Sequence, residues 1–331
     1  MIKLDNLKVI RTHIYWFPLS IIWHKFHKFI YFNFFNKGLE NNSKRNEKLL
    51  PYKIEDPELK EINLTSDLLN FFLKDSLLLK IKEKMLNSNL RTSYTTDIYN
   101  HLDLSLKSKL FFYAISNQNI QNYLEEYFGF KPRLHDVSIL YNIYREGLKE
   151  EGSKLWHRDT GDCDLRQIKV FIPISKIKSN NGPFFFLKNK NLAKENIAIK
   201  GIHGPAWIGG RVSNKTIKKL NGNIFSTEGI NTGTKIYFDS KRIYHKGGFS
   251  KGEDRLMIQF SYMGNAYCAT PPQDFSKEIL FFKKSKDKKL QLLIDDYLKH
   301  KKNYLKISSF EKYIRYIFFR FGIMFTYYIK K

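Results

Sequence analysis

Apolar side chains recur at helical intervals between residues 65 and 86, at Leu68, Phe72, Leu73 and Leu77, behind Ser66 and Asp67, which suit a helix N-terminus. A second helix is expected from Ser116 through Ile120, Leu124 and Phe128, stopped by Gly129 with Pro132 shortly beyond. From about residue 135 the period changes. Residues 137–144, 167–172, 184–187, 235–238 and 256–260 are short runs rich in β-branched and aromatic side chains. Gly, Asn, Pro and Ser separate them, as at residues 179–183 and 246–248. Several such runs with turn signals predict an all-β sandwich or barrel. Regular strand–helix alternation and internal repeats are both absent from the pattern. Past residue 276 the pattern is helical again and very basic. Ser308, with Glu311 three residues on, is a capping-box signature that opens a largely apolar, aromatic stretch over 310–329. The expected organisation is a helical region over 1–130, a β core over 131–265 and a basic helical region over 266–331.

Composition adds two points. The chain has 331 residues, 42% of them hydrophobic, with 28 Phe and 20 Tyr, which is ample for a packed core and excludes wholesale disorder. Its 57 Lys plus Arg stand against 32 Asp plus Glu, a net charge of +25. Attraction to nucleic acid, to an anionic membrane surface or to an acidic substrate is one reading. Compositional drift in a sequence rich in Lys, Asn, Ile, Phe and Tyr is the other. The two cysteines, Cys163 and Cys268, do not form a disulfide framework, and a cytoplasmic location fits them. Residues 14–23 form the longest apolar candidate near the start. They are too short to span a bilayer and contain Pro18, so neither a transmembrane helix nor a signal peptide is expected. The basic aromatic ends, with Trp16, Phe17, Trp23 and Phe29 at one and residues 310–329 at the other, suit either docking on the core or a peripheral position at a membrane interface.

The chemistry concentrates around residues 155–162. On a strand, positions i and i+2 share a face, so His157 and Asp159 can address one point. An imidazole beside a carboxylate is two thirds of the facial triad typical of non-haem iron(II) oxygenases. Residues 236–245 supply a candidate third ligand, His245, at the end of a strand-like run. Ten residues further, Arg255 heads the apolar run 256–260. An arginine entering a barrel interior needs an anion, and a dicarboxylate suits its planar fork. Asn142 and Tyr144, on the strand before the metal motif, could face the interior near a cosubstrate, with core packing as the alternative.

With His157, Asp159, His245 and Arg255 in this order, the sequence resembles the phytanoyl-CoA dioxygenase-like branch of the iron(II)/2-oxoglutarate oxygenases. The turn Asn181-Gly182-Pro183 and the run Phe238-Asp239-Ser240 ahead of His245 match that family's pattern over about residues 135–265. The resemblance implies a double-stranded β-helix, a jelly-roll, cupin-like barrel. It implies iron(II) on His157, Asp159 and His245, with the far carboxylate of 2-oxoglutarate on Arg255. It also implies a dioxygenase that consumes O2 and hydroxylates an unactivated carbon of a small or lipid-like metabolite, releasing succinate and CO2. Two departures stand out. Residues 187–190 replace the family's usual segment after the Asn-Gly-Pro turn, and residues 188–231 read as a lid-like insertion. The rival readings are a cupin-type metal enzyme that does not use 2-oxoglutarate, and a non-enzymatic peripheral membrane protein with a degenerate barrel. A nucleic-acid demethylase is disfavoured because Ser261 stands where those enzymes carry a second arginine.

Overall fold

The computed structural model describes residues 49–87, 95–129, 132–144, 146, 154–159, 167–188, 200–201, 204–205, 213–219, 223–240, 243–263, 273–283 and 288–305. Its first element is a short strand, β1 (Tyr52–Glu55). Helix α1 (Leu59–Leu73) follows and starts seven residues before Ser66, because Glu58 and Glu61 cap it reciprocally, with Glu58 N–H donating to Glu61 Oε2 at 2.7 Å. The single helix expected over 65–86 is also broken. Asp75 and Ser76 take left-handed φ values of 53° and 54°, which end one helix and start α2 (Leu77–Leu86). After β2 (Thr95–Asp97) come α3 (Leu104–Ser116) and α4 (Gln118–Phe128). Asp103 and Asn117 cap them through side-chain oxygens, and Gly129 closes α4 at φ 79°.

The β elements are β3 (Arg133–Asn142), β4 (Gln167–Pro173), β5 (Phe185–Leu187), the small hairpin β6 (Lys200–Gly201) and β7 (Gly204–Pro205), then β8 (Ile224–Ser226), β9 (Lys235–Asp239), β10 (His245–Lys246) and β11 (Arg255–Met263). Helix α5 (Asn214–Lys219) precedes β8, while α6 (Ser276–Lys283) and α7 (Lys288–Leu305) follow β11. One antiparallel sheet has the order β1-β9-β4-β11-β3-β2 and a second has β10-β5-β8. An isolated bridge between His157 and His245 adds residue 157 to the second sheet. In chain order the strands therefore pass from the large sheet (β3) to the small (157), back (β4), across (β5, β8), back (β9), across (β10) and back (β11). That alternation between two facing sheets is a jelly roll, the double-stranded β-helix expected from the sequence.

Strand parity decides what faces what. Leu256, Ile258, Phe260 and Tyr262 of β11 pack in the cluster that also holds the helices, together with Val137, Ile139 and Tyr141 of β3 and Ile168, Val170 and Ile172 of β4. The opposite face sends Met257, Phe171, Ile236 and Phe238 into a second cluster with Phe184 and Phe186 of the small sheet. By the same parity Arg255, Asn142 and Lys169 fall on the inner face. Strands β1 and β2, which cover the two edges of the large sheet, are too short to show a period in the sequence.

The stretch expected as a lid-like insertion contains a strand near its far end. Ile224–Ser226 is a strand of the small sheet, paired with Phe185–Leu187, because Lys188 N–H bonds to Asn223 O and draws the two runs into register. Much of the remaining insertion, both aromatic ends and residues 308–331 lie outside the described residues. Among the described residues no helix is long and apolar enough to cross a membrane.

Candidate metal centre and anion pocket

Two distant histidines become neighbours through backbone pairing. His157 and His245 exchange both N–H···O=C bonds at 2.9 Å, the tight rung of an antiparallel ladder. Their rings lie 4.3 Å apart, centroid to centroid. Each Nδ1 sits against a carbonyl, His157 with Leu155 O at 2.8 Å and His245 with Ile243 O at 3.1 Å. Donation to those carbonyls puts the proton on Nδ1 and leaves both Nε2 lone pairs for a ligand. Asp159 is anchored by its own N–H to Ser240 O at 2.9 Å, and its Oδ1 lies 3.7 Å from each Nε2. The three donor atoms fall within 4.8 Å of one another. Two neutral imidazole nitrogens and a carboxylate on one face match the donor set that holds iron(II) and leaves positions open, so the residues fit that metal.

Lys169, which sequence reasoning missed, completes the arrangement. Its Nζ lies 2.6 Å from Asp159 Oδ2, so the carboxylate turns one oxygen to the lysine and the other to the histidines. Burial alone would raise the Asp159 carboxyl, but Lys169, joined by His245 and His157 when these are protonated, outweighs it and holds it well below the usual carboxylate range. The available signal was a charged residue at an inward position of an otherwise apolar strand. Residues adjacent to the ligands turn away, as strand alternation requires. Trp156 packs with Leu187, Ile217 and Tyr244, and the Arg158 guanidinium lies 5.2 Å over the Tyr244 ring. Phe238 closes the inner side, edge-on to His245 at 5.2 Å.

A second cluster surrounds Arg255, which faces Asn142 across the β3–β11 ladder. Arg255 is buried, its Nη1 donates to Gly182 O, and its Nε has no hydrogen-bond partner among the described residues. Among the described residues no carboxylate pairs with it, and burial pushes its guanidinium down to about 10, still charged at neutral pH. Gly182 belongs to the Asn-Gly-Pro turn and has φ 78°; a Cβ there would lie 2.7 Å from Asn142 Nδ2. A Cβ on Gly248 would lie 1.9 Å from Pro183 O, so the two loops touch backbone to backbone. Asn142 Oδ1 accepts from Thr95 Oγ1 at 2.9 Å and from Lys154 Nζ at 3.1 Å. Neither Thr95 nor Lys154 was legible as a neighbour of Asn142, because their approach to it depends on contacts across the chain. Tyr144 is placed differently from Asn142: it is partly exposed, its backbone N–H donates to Asp254 at 2.9 Å, and among the described residues its hydroxyl makes no hydrogen bond to Arg255 or to the three ligands.

The chain matches no protein-family model and no curated protein sequence. Solved structures with a similar trace include the epimerase SnoN in complex with Fe3+, alpha ketoglutarate and nogalamycin RO, at 13% identity and TM-score 0.43, covering 73% of this chain and 88% of that one. EctD from S. alaskensis with 2-oxoglutarate and 5-hydroxyectoine is similar at 12% identity and TM-score 0.43, over 68% and 78% of the two chains. A Pseudomonas putida prolyl-4-hydroxylase reaches 11% identity and TM-score 0.37, over 65% and 93%. The ligands named are those of the solved proteins. What holds for this chain follows from its own side chains.

Proposed function

We propose that this chain is an iron(II)- and 2-oxoglutarate-dependent oxygenase that hydroxylates an unactivated carbon of a small or lipid-like metabolite. The observation that carries the reading is the pairing of a His–Asp–His facial triad with a buried arginine that meets no carboxylate among the described residues. A metal triad alone is common to many barrels, and a buried arginine alone is a structural expense. Together they describe a site for a metal-chelating acid with a second, distant carboxylate.

Each residue has a task. His157 and His245 present Nε2 atoms already oriented by their Nδ1–carbonyl contacts, so little is lost in ordering them. Asp159 supplies the third, anionic donor and is kept ionised by Lys169. Its presence favours hydroxylation over halogenation, which would need that position for a halide. Arg255 and Asn142 take the far carboxylate and so orient the keto acid toward the ligands. Phe171, Phe184, Phe186 and Phe238 line the space between the sheets and exclude water from it. When bound, iron(II) with the keto acid supplies dioxygen activation coupled to decarboxylation, giving succinate and CO2.

The basic, aromatic ends and the net charge of +25 support a further location, at the surface of an anionic membrane, where a lipid-like substrate would be met.

The test of the activity is spectroscopic. Anaerobic protein with iron(II) and 2-oxoglutarate is expected to develop the weak visible charge-transfer band of a chelated keto acid, and His157→Ala to lack it. Absence of the band from the wild type, or its persistence in His157→Ala, overturns the reading.

A further inference from the structure

The strand register sets the inner-face side chains of the large sheet in rows. Phe238, Lys169, Ser261 and Asp136 form one row across β9, β4, β11 and β3, and Ile236, Phe171, Gln259 and Ser138 form the next. Arg255 and Asn142 share a row two further on. Six residues of extended chain separate Ser261 from Arg255, roughly 20 Å, so the two ends of this face are chemically distinct.

At the Arg255 end the unmatched groups are donors. Arg255 Nε and Asn142 Nδ2 are buried with no acceptor among the described residues. At the other end they are acceptors. Asp136 is half-buried and takes Ser138 Oγ at 2.8 Å and Gln259 Nε2 at 3.5 Å, both on Oδ2. None of the described residues donates to its Oδ1 or sets a cation against it. Gln167, one row beyond Lys169 on β4, is buried, and its Oε1 meets no donor among the described residues. Lys169 is the cation of the row, and it is committed to Asp159 at 2.6 Å.

Asp136 stands two strand spacings from Lys169, roughly 10 Å, and Lys169 touches the metal-facing carboxylate. A molecule bound beside the three ligands therefore reaches Asp136 with a chain of a few atoms. An open carboxylate oxygen and an orphaned amide oxygen on one polar face suit a partner that is positively charged and rich in N–H donors.

We propose that Asp136, with Gln259 and Gln167 beside it, anchors an ammonium group of the substrate, so that the molecule oxidised is a small amine and not a bare acyl chain. The inference rests on the oxygenase reading above and narrows its substrate class. The alternative is a self-contained polar network, in which Ser138 and Gln259 are all that Asp136 binds.

The experiment is calorimetric titration of protein loaded with manganese(II) and 2-oxoglutarate. The probes are putrescine, ethanolamine and L-lysine, each against its fully N-acetylated counterpart, with decanoate as the acyl chain. At least one amine should bind, and its acetylated counterpart at least about tenfold more weakly. Asp136→Asn should remove that preference and Asp136→Glu should keep it, with metal content and 2-oxoglutarate affinity unchanged in both. No binding of any of the three amines overturns the inference, as does a preference for the acetylated forms or for decanoate, or an undiminished preference in Asp136→Asn. The wild-type comparison decides the matter even where Asp136→Asn does not fold. In each of these outcomes 2-oxoglutarate still binds the metal-loaded protein, so the oxygenase reading survives. A metal-loaded wild type that takes up no 2-oxoglutarate overturns that reading itself, and the inference falls with it.

Discussion

Asp159 meets two opposed demands. Burial penalises its charge, yet a metal needs that charge, and the conflict is resolved by Lys169 at 2.6 Å on the oxygen that the histidines do not face. Arg255 carries the same conflict with no carboxylate beside it among the described residues, which makes it the residue where a structural and a binding role separate most clearly. A structural arginine would tolerate lysine. If it binds the far carboxylate, lysine keeps the charge and loses the planar fork. Arg255→Ala is then expected to weaken 2-oxoglutarate by roughly 2–5 kcal/mol, the range for removing one side of a buried charged pair. Iron content should stay unchanged, because Arg255 is not a ligand. The apparent 2-oxoglutarate constant, measured for wild type, Lys and Ala variants, checks this; an unaltered constant in a folded Ala variant removes the anchor.

Between elements, the helical layer is fastened to the large sheet by a buried carboxylate. Glu61 of α1 is fully buried and accepts from Glu58 N–H, from Tyr113 Oη of α3 and from Asn117 Nδ2 at the start of α4. Lys235, at the head of β9 and also fully buried, lies 3.4 Å from it. One side chain thus caps its own helix and ties two other helices to a sheet strand. Glu61→Ala is expected to cost about 3–5 kcal/mol, as for a broken buried ion pair, read from denaturant unfolding. A loss below about 1 kcal/mol would mean that apolar packing alone holds the layers together. The Gly248–Pro183 contact fastens two loops backbone to backbone. Gly248→Ala is expected to destabilise by roughly 1–3 kcal/mol, because the new methyl meets backbone that cannot give way. Thermal unfolding reports it, and an unchanged midpoint would show that the loops separate freely.

Over the whole molecule the dominant quantity is charge. With +25 and aromatic, basic ends, binding to vesicles containing acidic lipid is expected, and added salt should weaken it as charges are screened. Sedimentation with neutral and acidic vesicles checks this. Equal recovery in the supernatant from both would reduce the charge to composition. Deletion of residues 308–331 should lower the bound fraction if that end makes the contact.

The alternation that makes strands 133–142, 167–173, 235–239 and 255–263 two-faced is written in the local order of residues, and with it which residues point inward. His157 and Asp159 share a face by that rule alone, and Arg255 heads an apolar run, so the triad and the arginine were legible. Local chemistry also fixed the helix end at Gly129. What the sequence could not decide was pairing across distance. The break at Asp75 and Ser76, the edge strands β1 and β2, and the role of Ile224–Ser226 as a barrel strand each depend on partners far along the chain. The same holds for Lys169 and Lys154. A lone lysine reads as a solvated charge until the fold removes the water around it, and only the tertiary structure sets one beside a carboxylate and the other beside an arginine. Periodicity is a local property, whereas burial of a charge and the identity of its neighbour are created when the sheets close.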